Sequence, residues 1–170
     1  MPRNRRFPAV NTHGKAFVAM DRLLDTTRAG PLHLKRPEFA DMVVEAIRHR
    51  ESEGQFSLHN FVVMANHVHL LITPRMEVSK LMQSLKRFTA REGNRMLGIT
   101  GQPFWQDESY DRWVRNQAEF ERIAWYIENN PVAAGLCVSP EDFPWSSARP
   151  TTSRPQAASL PHINPHTPTA

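Results

Sequence analysis

Cysteine is almost missing from these 170 residues, and Cys137 stands alone. A disulfide framework and a thiolate zinc site are therefore excluded. Tyrosine is nearly as rare: Tyr110 and Tyr126 are the only two. Lysine is scarce as well, with 4 residues against 17 arginines. No apolar run approaches the roughly 18 residues of a membrane span, so no membrane partner is expected. The opening MPRNRRFPAV has no apolar core of the secretory kind. A cytoplasmic protein is the expectation.

What is present is an ordinary globular composition, 40% hydrophobic and 22% charged. The length suffices for one core but not for two. The expected organisation is a single domain over 1–150, with a basic arm at 1–12 and a disordered Thr/Pro/Ala/Ser-rich tail at 151–170. The arm carries Arg3, Arg5 and Arg6. It reads equally as a solubilising terminus or as a nucleic-acid arm. The net charge of +4 rests on arginine, the side chain that forks onto phosphate.

The apolar pattern predicts seven elements. Residues 16–24 read as a strand. Pro37 opens a helix to about Ser52, with Phe39, Met42, Val43, Ala46 and Ile47 at helical spacing. FSLHNFVVM and HVHLLITP form a hairpin around Ala65 and Asn66, where Asn66 would take the left-handed backbone of a tight turn. Ser79 would cap a helix to about Leu97, ended by Gly98. PFWQDESYDRWVR leads through a loop into a strand. Asn116 caps the last helix with Glu119 three residues on, and Pro131 disturbs that helix. Strand, helix, strand, strand, helix, strand, helix predicts an α+β fold, a ferredoxin-like sandwich with a mainly antiparallel sheet and helices packed on it.

His67 and His69 flank Val68, so alternation puts both imidazoles on one face of a strand. Such a pair can share a metal ion, or can be ordinary polar residues on an exposed sheet face. Neighbouring thiolates or a third nearby histidine would close a zinc site, but only His59 lies in the same hairpin. Tyr126 and Asn130 lie four residues apart and project from one helix face. An amide oxygen suits a hard divalent ion, whereas Tyr126 taken alone reads as an aromatic on the buried face of its helix.

Four stretches carry a resemblance: FVVMANHVHLLITP, SLKRFTAREGNRMLG, PFWQDESYDRWVR and YIENNPVAAGL, followed by DFPWSSA. Over 56–148 the sequence resembles the REP-associated tyrosine transposases, a branch of the single-tyrosine HUH transposases. His67 and His69 match that family's metal ligands. Tyr126 matches its nucleophile, and Asn130 matches its third ligand. Family members commonly have Pro where Ala65 stands, and residues before about 50 match only loosely.

The resemblance implies a single-stranded DNA endonuclease and strand transferase. It implies a Mg²⁺ or Mn²⁺ ion, a 5′-phosphotyrosine intermediate and palindromic hairpin substrates with a short single-stranded flank. A phenol's ordinary pKa of about 10 means the nucleophile needs help, and no general base is evident. A monomer or a homodimer is compatible with it. Two other functions stand against it: a catalytically idle DNA- or RNA-hairpin binder on the same scaffold, and a small-molecule metallohydrolase.

Lys80, Gln83, Arg87, Arg91 and Asn94 are spaced 3, 4, 4 and 3 apart and form one polar stripe, flanked by Lys86 and Arg95. Only Glu92 is acidic in that stretch, which favours phosphate contact over a merely solvated face. Arg112 and Arg115 on the last strand are further DNA-binding candidates. Trp105, with Phe104 and Trp113, could stack on unpaired bases, though at least two of these three are expected in the core. Trp145 is expected to pin the C-terminal segment by packing.

Overall fold

The computed structural model of the chain describes residues 16–22, 32–105 and 110–149, with backbone alone for 17–22 and 110. The expected basic arm and tail lie outside the described residues.

Among the described residues four strands build one fully antiparallel sheet. They are β1 (Phe17–Arg22), β2 (Phe56–Val63), β3 (His67–Pro74) and β4 (Tyr110–Trp113), in the spatial order β2-β3-β1-β4. Helix α1 (Pro37–Ser52) joins β1 to β2, and α2 (Val78–Leu97) joins β3 to β4. That strand–helix–strand–strand–helix–strand order with β1 and β3 central is the ferredoxin-like sandwich. A third helix, α3 (Gln117–Ala133), follows β4.

Alternation along β3 divides the apolar residues between two cores. Val68, Leu70 and Ile72 join Phe39, Val43, Ile47, Leu81 and Leu85 of α1 and α2. Leu71, from the opposite face, joins Val62, Phe120, Ile123, Ala124 and Ile127 under α3. The two-helix layer and α3 therefore sit on opposite sides of the sheet. Trp145 packs against both cores, as expected of a pin, and its Nε1 donates to Asp41 Oδ1 at 2.9 Å.

Three local expectations are corrected. Asn66 has no left-handed backbone, since among the described residues only glycines have positive φ. The turn instead closes by a bond from the Met64 N–H to the His67 carbonyl, 2.8 Å, and leaves the Asn66 side chain for another use. Ser79 does not cap α2. The helix starts two residues earlier, at Val78 behind Glu77, and the Ser79 hydroxyl donates to the Glu77 carboxylate. Pro131 does not stop α3, which continues to Ala133; the buried ring removes one N–H from the ladder without breaking the helix.

Asn116 does cap α3, accepting from the Glu119 N–H at 2.9 Å. Glu119 returns no bond to it and turns to Arg112 and Arg115 instead. Gly93 explains itself by close approach: a Cβ there would sit 2.5 Å from the Phe104 ring.

Candidate active site

The site forms where α3 crosses the sheet. β3 begins at His67, so both histidines sit at its first turn-proximal positions, with His69 opposite Val62 of β2 and Met20 of β1. Their rings meet edge to face with centroids 5.0 Å apart. His69 is 4% exposed. The His67 Nδ1–H donates to Asn66 Oδ1 at 2.8 Å. An amide oxygen only accepts, so the proton belongs on Nδ1 and Nε2 carries the lone pair.

Helix α3 brings the other half. Its apolar side, Phe120, Ile123, Ala124 and Ile127, is buried against the sheet. Asn60 of β2 donates from Nδ2 to Glu128 Oε1 at 2.9 Å, and both side chains are buried. Glu128 thus helps to dock the helix on the sheet. Tyr126 projects at the helix edge, 52% exposed, with its ring edge-on to His69 at 5.5 Å. One turn later the Asn130 amide nitrogen lies 3.4 Å from His69 Nε2. A half-turn of that amide exchanges nitrogen for oxygen.

The four sequence-selected residues, His67, His69, Tyr126 and Asn130, therefore share one place. Among the described residues no group of three or more His, Cys, Asp or Glu could hold a metal ion. The available donors are two imidazoles and one amide oxygen. That set fits a borderline-to-hard divalent ion such as Mg²⁺ or Mn²⁺ with positions left for substrate oxygens. His59 is elsewhere: its Nε2 lies 2.7 Å from Thr73 Oγ1, its ring abuts Phe120, and burial pushes its pKa down.

The proposed DNA contacts divide. Lys80, Gln83, Arg87 and Arg91 line a shallow groove on the outer side of α2, with Ser84 and Phe88. Lys80 pairs with Glu77 at 2.9 Å, and Arg95 pairs with Glu92 at 2.9 Å. Lys86 is half-buried beside Trp105 and Val68. All of these lie across the sheet from Tyr126.

Asn94 departs from expectation, and Trp105 takes the core place expected of two of the three aromatics rather than a base-stacking one. Asn94 is buried, and its Nδ2 donates to the Gln102 carbonyl at 2.6 Å, so it leaves the polar stripe. Trp105 is 8% exposed and donates from Nε1 to Thr89 Oγ1 at 2.8 Å, so it has no face for a base. Phe104 is buried too, while Trp113 is open to solvent. Arg112 and Arg115 sit on the α3 side, around the buried Glu119 carboxylate.

The sequence pattern does not single out two residues and one pair. Asn66 was read for its backbone, although an amide directly before a candidate ligand could have been tested as its hydrogen-bond partner. The Asn60–Glu128 pair spans strand and helix, and no sequence spacing signals it. Arg122 stands one turn before Tyr126, and the same four-residue spacing that singled out Asn130 would have found it.

Comparison with known proteins bears on this geometry. The sequence model of the family described as "Transposase IS200 like" matches residues 33–130, more than half of the chain. None of the curated proteins matches. Among solved structures, the chain is similar to a REP-associated tyrosine transposase bound to a REP hairpin, at 21% identity and TM-score 0.58. The match covers 86% of this chain and 82% of that one. A Deinococcus radiodurans r1 protein named as a candidate transposase shares 18% identity at TM-score 0.48, over 73% of this chain and 96% of that one.

Proposed function

The chain belongs to the IS200-like transposase family, and from that membership we propose that it cuts and rejoins single-stranded DNA through Tyr126. The observation that carries the proposal is the meeting of Tyr126, His69 and Asn130 from two separate elements at one sheet face. His67, His69 and Asn130 would hold a divalent ion, Mg²⁺ or Mn²⁺. Such an ion polarises a phosphate oxygen and eases charge build-up at phosphorus.

The protein's own contribution is placement. The Asn66 oxygen holds the His67 proton on Nδ1, which keeps Nε2 available as a donor. The buried side of α3 fixes the helix, so Tyr126 stays at the exposed edge where a strand can reach it. The Tyr126 hydroxyl, open to solvent, gives up its proton to water as Oη bonds to phosphorus. The bond from phosphorus to the 3′ oxygen breaks, and that oxygen leaves as a free 3′-OH after taking up a proton. The product is a 5′-phosphotyrosine. Attack by another strand's 3′-OH reverses the sequence, so joining needs no nucleotide cofactor.

The substrate in this reading is a hairpin repeat with an unpaired flank; the structural neighbour is itself bound to a REP hairpin. One chain supplies all four residues, which supports a monomeric site. Among the described residues no helix is long and apolar enough to cross a membrane.

The test is incubation of single-stranded hairpin DNA with the protein and Mn²⁺, followed by denaturing electrophoresis. A covalent adduct that maps to Tyr126 and vanishes in Tyr126→Phe is expected. Binding with no adduct would leave a hairpin binder. An adduct that survives Tyr126→Phe would refute the assignment of the nucleophile.

A further inference from the structure

Three guanidinium groups gather around one carboxylate at the start of α3. Glu119, 3% exposed, accepts from Arg112 Nη1, from the Arg115 N–H at 2.8 Å and from Arg115 Nη2 at 3.1 Å. The hydrogen bonds from Arg115, and then Arg112, hold its pKa down to about 2, so it stays ionised. Arg122 Nη2 stands 3.7 Å from the same oxygen, oriented by it but beyond hydrogen-bond reach.

One negative charge therefore organises three positive ones, and two are left in excess. Folding alone does not call for this. Arg112 and Arg115 already occupy both carboxylate oxygens, and an exposed third pair at that distance adds little to stability. The Arg122 side chain is 70% exposed.

The position of Arg122 is specific. It precedes Tyr126 by four residues, so the two side chains share a helix face about 6 Å apart along the axis. The same row continues to Asn130. Arg122 thus stands on α3 between the Arg112 and Arg115 cluster at the helix start and the proposed nucleophile. Successive phosphates of an extended strand present charge at a comparable repeat. The residue type also fits, since arginine forks onto phosphate oxygens and keeps its charge.

We infer that Arg122, backed by Arg112 and Arg115, binds the phosphate next to the scissile one, so that the unpaired flank of the DNA runs along α3 from the Glu119 cluster to Tyr126. Glu119 is a positioning residue in this arrangement: it touches no DNA and holds the guanidinium groups in place. The inference rests on the reading of Tyr126 as nucleophile and deepens it.

The experiment uses the whole chain and two DNA probes, a hairpin with a single-stranded flank and the same hairpin with a blunt end. Binding is measured over a range of salt for wild type, Arg122→Gln and Arg122→Lys. Arg122→Gln is expected to weaken flanked-probe binding about tenfold. It should also flatten the dependence of log K on log salt by about 0.7, the value for one single-strand phosphate contact. Blunt-probe binding should be unchanged, which also certifies the fold of the variant. Arg122→Lys should restore the salt slope. Wild-type affinity and slope in Arg122→Gln would overturn the inference, as would an equal loss on both probes, which would place the duplex stem here. If wild type forms the Tyr126 adduct while Arg122→Gln binds like wild type, this inference alone fails. If wild type neither binds the flanked probe nor forms an adduct, both readings fail.

Discussion

The two faces of the sheet hold their polar groups in opposite ways. On the α3 face they are largely interior and engaged with one another: His69 against Asn130, Asn60 against Glu128, Glu119 inside a cage of arginines. On the outer side of α2 the charged groups stand in solvent and pair with near neighbours in sequence, as Lys80 with Glu77 and Arg95 with Glu92. The contrast follows from what each face has to supply. In-line attack on phosphorus demands side chains fixed to fractions of an ångström, and burial fixes them. Attraction of a phosphate backbone works over a Debye length and needs charge rather than fixed geometry.

The sharpest way to break this comparison is to remove chemistry from one face and ask whether binding on the other survives. Tyr126→Phe should abolish the covalent adduct while hairpin affinity stays within about twofold of wild type, since the phenyl ring keeps its packing. Removal of divalent ions by a chelator should likewise stop cleavage and spare binding, as read by adduct formation and by mobility shift. A variant or condition that loses both together would mean that the α3 face also carries most of the affinity.

The converse experiment strips charge from α2. Arg87→Gln with Arg91→Gln should weaken hairpin binding and flatten the salt dependence by about one unit of slope for each arginine. The rate of adduct formation at saturating DNA should not change. A fall in that rate would show that the outer groove of α2 aligns the strand as well as attracting it.

A third measurement probes how strongly burial fixes the α3 face. The Glu119 carboxylate is held well below its ordinary value, at about 2, by the hydrogen bonds from Arg115 and Arg112. Its stabilising effect is therefore fully present above the unfolded carboxylate range near 4.5 and is lost as pH falls towards 2. Glu119→Gln should be less stable than wild type at neutral pH in urea titrations. The gap should narrow steadily between about pH 4.5 and pH 2. A gap independent of pH would show that the arginine cage acts through packing alone.

How far the sequence led differs between the two faces as well. Local signals were read well. The Pro37–Ser52 helix and the start of β3 at His67 have the boundaries that their periodicity and proline predict. The meeting of His67, His69, Tyr126 and Asn130 agrees with strand alternation and helix spacing combined with the resemblance.

What was not legible is non-local. Asn94 has perfect spacing for the polar stripe, yet the segment after α2 folds back, and the Gln102 carbonyl captures its amide. The same return presses Phe104 onto Gly93 and buries Trp105 against Thr89. Nothing in the i, i+3, i+4 pattern reports where a following loop will lie. Asn66 was misread for a different reason. Its residue type suits a left-handed turn, but the ring nitrogen beside it competes for the side chain.

The smallest expected effect gives the most direct comparison, because it sets one polar pair on each face against the other. Asn60→Ala removes the donor to Glu128 Oε1 in a buried setting where water cannot replace it freely. The expected loss is about 1–3 kcal/mol. At roughly 2–4 °C per kcal/mol for a chain of this size, thermal melting should register it. Lys80→Ala breaks the Lys80–Glu77 pair at the same 2.9 Å separation. Both of those side chains are exposed, so solvent takes over their hydration and the change should be below about 1 kcal/mol. Equal losses would mean that distance rather than burial sets the strength of these pairs. A large loss for Asn60→Ala alone, accompanied by slower adduct formation, would show that the buried bond holds α3, and Tyr126 with it, at the working distance from His69.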